Sequence, residues 1–140
     1  MRGRLLAMEL ATISAALRDV LAAREEVACA YLFGSLARGE GGASSDVDVA
    51  VLLEQDPPRT LAGVPARLEA ELSRRASLPV DVVILNRAPL DLVHRVLRDG
   101  RLLVDHNPTR RIAFEVRARN LYWDLEPVLR RYRYRDAPTR

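Results

Sequence analysis

The sequence predicts an α/β (α+β) domain in which a small mixed β-sheet is covered by helices. Short, continuously apolar runs of five to eight residues are typical of buried strands. Between them lie longer stretches whose apolar residues recur every three or four positions, as on an amphipathic helix. The two patterns alternate along the chain without an internal repeat, and 140 residues are enough for one domain with a real core.

In the first third of the chain, two strands follow a helix. A helix is expected from Leu5 to Arg24 because apolar residues are spaced by four, three, four and four positions: Leu6, Leu10, Ile13, Leu17 and Leu21. Val27–Phe33 reads as the first strand, and Ser35 as the N-cap of a short helix that ends near Gly39. Asp46–Leu53 reads as the second strand, which its unbroken apolar run predicts to be buried on both faces.

The middle of the chain repeats the helix and strand patterns after the break at residues 55–58. Helical spacing is found at Leu61, Val64, Leu68, Leu72 and Ala76. The charged face of that helix reads as ordinary solvated surface: Arg67, Glu69, Glu71, Arg74 and Arg75. Val80–Leu85 is the third predicted strand, Pro89–Arg98 a further helix, and Arg101–Asp105 the last strand.

A C-terminal helix is expected to begin at Thr109, which is a suitable N-cap after Pro108. Pro127 lies within its apolar pattern and is expected to kink or interrupt it. Trp123 is interpreted as part of the helix flank that covers the sheet. The predicted organisation is therefore a domain at residues 1–107, with residues 108–140 as a helical extension packed on it.

Charge is unevenly distributed along the chain. Residues 1–107 have 13 Arg and 15 Asp or Glu, whereas residues 108–140 have 9 Arg and 4 Asp or Glu. Interleaved arginine and tyrosine residues in a basic extension are typical of a protein interface, and they can also stack on the bases of a nucleic acid. Of these two partners, a protein is favoured. The single cysteine, Cys29, lies in an apolar run and is expected to fill the core. No His or Cys spacing suits a zinc site.

Two aspartates at the start of the second strand are the first candidates for chemistry. Asp46 and Asp48 are two residues apart, so on a strand their side chains share a face. Carboxylates at this spacing can bind Mg²⁺ together with substrate phosphates. Gly34 and Ser35, at the end of the preceding strand, can turn backbone N–H groups and a hydroxyl toward the same phosphates. The alternative interpretation is that both acids are solvated or cap a turn. An unpaired carboxylate is costly near a core, and this disfavours the alternative for Asp48.

Taken together, Gly34-Ser35, Ala37-Arg38-Gly39 and Ser45-Asp46-x-Asp48 resemble the signature of the DNA polymerase β-like nucleotidyltransferase superfamily. More narrowly, the chain resembles the minimal nucleotidyltransferase (MNT) domain proteins that accompany HEPN proteins in prokaryotes. The resemblance extends over most of the chain and is strongest from about Ala28 to Asp105. It implies a nucleotidyltransferase-like fold and an ATP substrate.

The resemblance also assigns roles to residues. A third carboxylate arrives from a neighbouring strand in that superfamily, and Asp81 is the matching residue, as metal ligand and candidate general base. Asp46, Asp48 and Asp81 are thus expected to hold two Mg²⁺ ions. Gly34, Ser35, Arg38 and Ser45 are the nucleotide-binding candidates, although Arg38 is equally compatible with a solvent-facing position.

The function implied is that of a cytoplasmic antitoxin that transfers AMP from ATP to a tyrosine of a partner HEPN ribonuclease toxin. Oligomerisation with that partner is possible. One alternative is an antitoxin that neutralises its partner by binding alone. Another is a nucleotidyltransferase that acts on a small molecule or an RNA end. The sequence has no apolar run long enough to span a bilayer, and no membrane association is expected.

Overall fold

The computed structural model describes residues 2–34, 37, 47–58 and 63–136. Four helices and four strands cover most of these residues. In chain order they are α1 (Arg2–Ala22), β1 (Val27–Phe33), β2 (Val47–Leu53), α2 (Gly63–Ala76), β3 (Val80–Ile84), α3 (Leu90–Asp99), β4 (Arg101–Asp105) and α4 (Pro108–Asp136), with a 3₁₀ turn at Leu85–Arg87. The predicted α/β class and the order of these elements are confirmed. The short helix expected from Ser35 to Gly39 lies outside the described residues.

The four strands form one mixed sheet in the order β3-β2-β1-β4. β1 is antiparallel to both of its neighbours, whereas β2 and β3 are parallel. Since parallel neighbours need a crossover connection, α2 lies between them in the chain and packs on one face of the sheet. The sheet therefore brings the starts of β2 and β3 side by side, although 33 positions separate Val47 from Val80.

Both faces of the sheet are buried, as the continuous apolar runs predicted. One face packs against α1 and α2 through residues that include Leu17, Val49 and Leu72. The other face packs against α3 and the first half of α4 through residues that include Ala50 and Val96. Alternate side chains of β2 therefore enter opposite layers of the core, which fixes the face on which each aspartate lies.

Three details of α4 differ from the sequence-based expectation. The N-cap is Asn107 rather than Thr109, because Asn107 Oδ1 accepts a hydrogen bond from the Arg110 N–H at 3.1 Å and Pro108 takes the first helical position. The helix is not interrupted at Pro127. Of the two outcomes expected at this residue, the interruption is therefore wrong and the kink stays a prediction.

The third difference concerns Trp123, which does not cover the sheet. Its side chain is 75% exposed, because it lies on the side of α4 opposite to Phe114 and Ala118, which pack on the core. Helical spacing identifies residues that share a face, but it does not reveal which of two apolar faces meets the core. This part of the prediction was wrong.

Candidate functional site

Asp48 and Asp81 are brought together by the pairing of β2 with β3. They are register partners on the two parallel strands, so their side chains extend from the same face of the sheet. Neighbouring strands are separated by about 4.8 Å, a distance at which two carboxylates can share a cation. Asp81 is exposed and Asp48 is half-buried, so the pair is open to solvent on the side of Asp81.

Gly34 lies against this pair at the end of β1. Its φ of +83° is in the left-handed region that favours glycine. A Cβ atom built on Gly34 would collide with Oδ2 of Asp48 and would lie 3.3 Å from its Cγ. The absence of a side chain therefore lets the turn after β1 approach the carboxylate of Asp48 directly.

Two side chains of α2 hold β3 in place around Asp81. Val80 N–H donates to Ser73 Oγ at 2.9 Å, and Val82 N–H donates to Glu69 Oε1 at 2.9 Å. Since β3 is an edge strand, these bonds occupy N–H groups on both sides of Asp81 that have no neighbouring strand. The interpretation of Glu69 as ordinary solvated surface was therefore wrong.

Four of the predicted site residues, namely Ser35, Arg38, Ser45 and Asp46, lie outside the described residues. Their assigned roles remain predictions. Within the ranges that the structure describes, no three His, Cys, Asp or Glu side chains are grouped as a metal site. The described part of the candidate site is the pair Asp48 and Asp81, whose carboxylate oxygens are the donors that Mg²⁺ prefers.

A large cavity lies elsewhere, between α3 and α4, with a volume of about 880 Å³. Leu52 of β2 is among its lining residues, and it lies four positions along the strand from Asp48, or about 13 Å. Its other lining side chains include Asn86, Arg110, Phe114 and Leu125. This cavity is thus distinct from the acid pair.

A buried polar group fixes the start of α4 to the sheet. The Tyr31 hydroxyl donates to Glu115 Oε1 at 2.6 Å, and Arg111 Nη1 donates to both oxygens of Glu115 at 3.2 Å. Arg111 also forms an ion pair with Asp105 of β4. Burial, together with the bond to Glu115, raises the pKa of Tyr31 far above its usual value. Residues from three elements therefore stabilise one another here.

Cys29 is the buried core residue that the sequence predicted. Its side chain is fully inaccessible, and burial raises the pKa of its thiol to about 11. A thiol in this state is mostly protonated at neutral pH, which makes it a poor nucleophile. We therefore assign Cys29 no part in the chemistry.

A protein-family comparison identifies the class of protein. The model of the Polymerase beta nucleotidyltransferase family matches residues 15–109, which include Gly34, Asp48 and Asp81. Because the match covers more than half of the chain, the chain belongs to this nucleotidyltransferase family. The predicted resemblance is confirmed at this level.

Solved structures narrow the likeness to the MNT antitoxin group. A toxin–antitoxin structure with AMP-PNP matches with a TM-score of 0.71 and 25% identity, over 93% of this chain and 98% of that one. A point mutant of the MntA–HepT toxin–antitoxin complex matches with a TM-score of 0.68 and 26% identity, over 89% and 94% of the two chains. The predicted similarity to MNT antitoxins is confirmed.

A third structure shares the fold. It contains a tri-AMPylated HEPN toxin of Shewanella oneidensis in complex with an MNT antitoxin, and it matches with a TM-score of 0.65 and 24% identity, over 96% of this chain and 99% of that one. No curated protein sequence matches the chain at a significant level. No helix among the described residues is long and apolar enough to cross a membrane.

Proposed function

We propose that this chain is a metal-dependent nucleotidyltransferase that transfers AMP from ATP to a tyrosine hydroxyl of a partner HEPN toxin. The observation that carries the proposal is the register pairing of Asp48 with Asp81, with Gly34 against Asp48. Membership of the nucleotidyltransferase family supports the reaction type. The similar structures, which include an AMP-PNP complex and a tri-AMPylated toxin, support ATP as donor and a protein as acceptor.

In the proposed reaction, the oxygen of the acceptor hydroxyl attacks the α-phosphorus of ATP. A new P–O bond forms to the acceptor, the bond from the α-phosphorus to the bridging oxygen breaks, and pyrophosphate leaves. Asp81 takes the proton of the hydroxyl, since it is the exposed member of the acid pair. Asp46, Asp48 and Asp81 are the residues that would hold Mg²⁺, which would supply charge neutralisation at the phosphates and a lower pKa for the attacking hydroxyl.

Positioning of the nucleotide is assigned to the turn after β1. Gly34 brings backbone close to Asp48, and Ser35, Arg38 and Ser45 are the proposed phosphate contacts. Catalysis of this kind depends on orientation and charge stabilisation, which a small domain can provide. Residues 1–107 form the proposed catalytic part, with residues 108–140 as its extension. We place the reaction in the cytoplasm, where the thiol of Cys29 stays reduced and ATP is supplied.

The test is incubation of the chain with ATP, Mg²⁺ and the protein encoded by the adjacent reading frame. We expect the neighbour to gain the mass of one or more AMP groups, and the modified residue to be a tyrosine by peptide mass spectrometry. Asp81→Asn is expected to abolish the modification. Glu25→Gln, which alters an exposed carboxylate in the turn before β1, is the matched control and is expected to be fully active.

Other outcomes contradict the proposal in distinguishable ways. A neighbour that is inhibited but never modified would make the chain an antitoxin that acts by binding alone. AMP found on an RNA end or on a small molecule, and not on the neighbour, would mean that the chain is a nucleotidyltransferase whose acceptor is not the neighbouring protein. For an RNA acceptor, binding is also expected to weaken steeply with salt, because phosphate contacts release counterions.

A further inference from the structure

Exposed apolar side chains are concentrated on α4. Among the described residues, seven large hydrophobic side chains are exposed, and six of these lie on this helix: Ile112, Val116, Leu121, Trp123, Leu125 and Val128. A helix that exposes apolar residues on more than one side is typical of a segment that another molecule covers. α4 has 29 residues and so extends for about 43 Å, whereas the longest strands, of seven residues, span only about 23 Å.

The apolar residues of α4 form two rows on opposite sides of the helix. Phe114 and Ala118 face the core, and Leu121, Leu125 and Val128 continue their row toward the C-terminus. At 100° per residue, Ile112, Val116 and Trp123 lie roughly 160–200° away from Phe114. Their exposed fractions of 50%, 49% and 75% agree with a row that faces away from the domain.

Two arginines belong to this outward row. Arg119 and Arg130 are exposed, and they lie within about 40° of Trp123 around the helix. We define the outer stripe as Ile112, Val116, Arg119, Trp123 and Arg130. Both charged members of the stripe are cations, and residues 108–140 as a whole carry 9 Arg against 4 Asp or Glu.

The first two-thirds of the stripe is held rigidly. Glu115 and Arg111 fix the beginning of α4 to Tyr31 of β1. Further along, the rings of Tyr122 and His94 of α3 stack with their centroids 3.6 Å apart and an interplanar angle of 3°. Trp123 is adjacent to Tyr122, so this stacking holds the backbone at Trp123 in place relative to α3 before any partner binds. Such preorganisation lowers the entropic cost of association.

We propose that the outer stripe is the surface by which this chain docks its protein acceptor, through an amphipathic helix of that protein with acidic residues beside its apolar row. The proposal rests on the proposed function, because it gives the protein acceptor its binding site. Trp123 enters the apolar row of the partner helix as its anchor, and Arg119 pairs with an acidic residue beside that row. Tryptophan and arginine are the residues in which interface energy is most often concentrated.

A second copy of the chain and a nucleic acid are less suitable occupants. Another copy of the stripe would present arginines, which repel Arg119, rather than an acidic group that pairs with it. A nucleic acid would pair with the arginines, but Ile112 and Val116 offer no planar surface for stacking bases. An acidic amphipathic helix satisfies both the apolar and the cationic members of the stripe.

The first test measures binding without ATP, between the full chain and the protein encoded by the adjacent reading frame, by isothermal titration calorimetry. Trp123→Ala is expected to raise the Kd about tenfold or more, and Arg119→Glu is expected to raise the Kd and reduce its dependence on salt. Leu125→Ala is the matched control, because Leu125 is an exposed residue of the opposite row. It is expected to leave the Kd within about threefold.

The second test separates docking from chemistry. In the AMP-transfer assay, Trp123→Ala is expected to raise the KM for the acceptor protein, with kcat at saturating acceptor unchanged. If wild type binds the neighbour through Trp123 but transfers no AMP, the docking proposal stands and the proposed function fails. If transfer proceeds and its KM is insensitive to Trp123 and Arg119, the proposed function stands and the docking proposal fails.

Three further results would overturn the docking proposal. Equal losses of affinity in Trp123→Ala and Leu125→Ala would mean that the outer stripe is not the specific surface. A chain that self-associates through Trp123 in sedimentation experiments would have a second copy as its occupant. RNA binding that depends on Trp123, with protein binding unaffected, would assign the stripe to nucleic acid.

Discussion

Gly34 lies in contact distance of Asp48, so closely that a Cβ atom on the glycine would lie 3.3 Å from the carboxylate carbon of the aspartate. The glycine also has a φ of +83°, which residues with a side chain rarely adopt. Two features therefore limit position 34 to glycine: the left-handed backbone conformation and the closeness of the Asp48 carboxylate. Each restriction predicts a different measurable effect.

Gly34→Ala is expected to destabilise the fold by about 1–2 kcal/mol because of its left-handed backbone conformation. Its methyl group would also displace the Asp48 carboxylate, so AMP transfer is expected to fall by at least about tenfold. Urea unfolding measures the first effect, and a transfer assay well below the unfolding transition measures the second. Normal transfer in a destabilised variant would show that the position of the Asp48 carboxylate does not matter for catalysis.

Asp48→Asn and Asp81→Asn are expected to change the response of the protein to Mg²⁺ or Mn²⁺. The two carboxylates are register partners on β2 and β3, so a cation bound between them would lose one of its ligands in either variant. Added metal is expected to raise the Tm of wild type, because it binds the folded state, and to have little effect on either variant.

Thermal unfolding with and without metal measures this difference. Glu25→Gln is the appropriate control, since it removes an exposed carboxylate far along the chain from the pair and is expected to respond to metal as wild type does. Equal metal-induced shifts in wild type and in Asp48→Asn would exclude Asp48 as a ligand. They would also remove the main support for the proposed metal-dependent reaction.

The strands were the part of the fold that the sequence predicted best. Val27–Phe33 and Arg101–Asp105 have the predicted ends. Val27–Phe33 is continuously apolar because it is buried in the sheet, and Arg101–Asp105 is a short run between the turn at Gly100 and the break at Asn107-Pro108. The cap of α4 was assigned two positions late. Asn107 and Thr109 both have side chains that can cap a helix, and only the hydrogen bond to the Arg110 N–H distinguishes them.

Long-range features were less accessible to sequence analysis. The juxtaposition of Asp48 with Asp81 depends on which strands pair, and this was inferred from the family resemblance rather than from local pattern. The role of Glu69 depends on the same pairing, because it binds the exposed edge of β3. In the sequence, Glu69 cannot be distinguished from any other charged residue on a helix surface. Trp123 was misplaced because both sides of α4 are apolar.

Tyr31→Phe is expected to destabilise the protein by about 1–2 kcal/mol. The change removes the hydroxyl that donates to Glu115 at 2.6 Å and leaves a largely buried carboxylate with one donor fewer. Urea unfolding measures the loss. Glu115→Gln keeps an acceptor for the tyrosine but weakens the pairing with Arg111, so its loss is expected to be of similar size. A Tyr31→Phe variant as stable as wild type would mean that this hydrogen bond does not help to hold α4.

The raised pKa of the Cys29 thiol predicts how the free energy of unfolding changes in alkaline solution. Burial raises its pKa from the ordinary value of 9.0 to about 11, so the unfolded chain loses this proton at a lower pH than the folded protein does. Its contribution is therefore fully present below pH 9 and is lost as the pH rises from 9 through about 11, with a total on the order of 2 kcal/mol.

Cys29→Ala tests this prediction when urea unfolding is followed between pH 8 and about pH 11, the range over which the thiol titrates. The variant loses packing at every pH, but the fall in unfolding free energy above pH 9 is expected to be shallower than in wild type, because the unfolded chain no longer gains a thiolate. Cys29 is also one of the groups that raise the pKa of Tyr31, so the difference between the two curves reports the thiol together with its effect on Tyr31. Parallel curves for wild type and Cys29→Ala would contradict the assignment of the slope to this buried thiol.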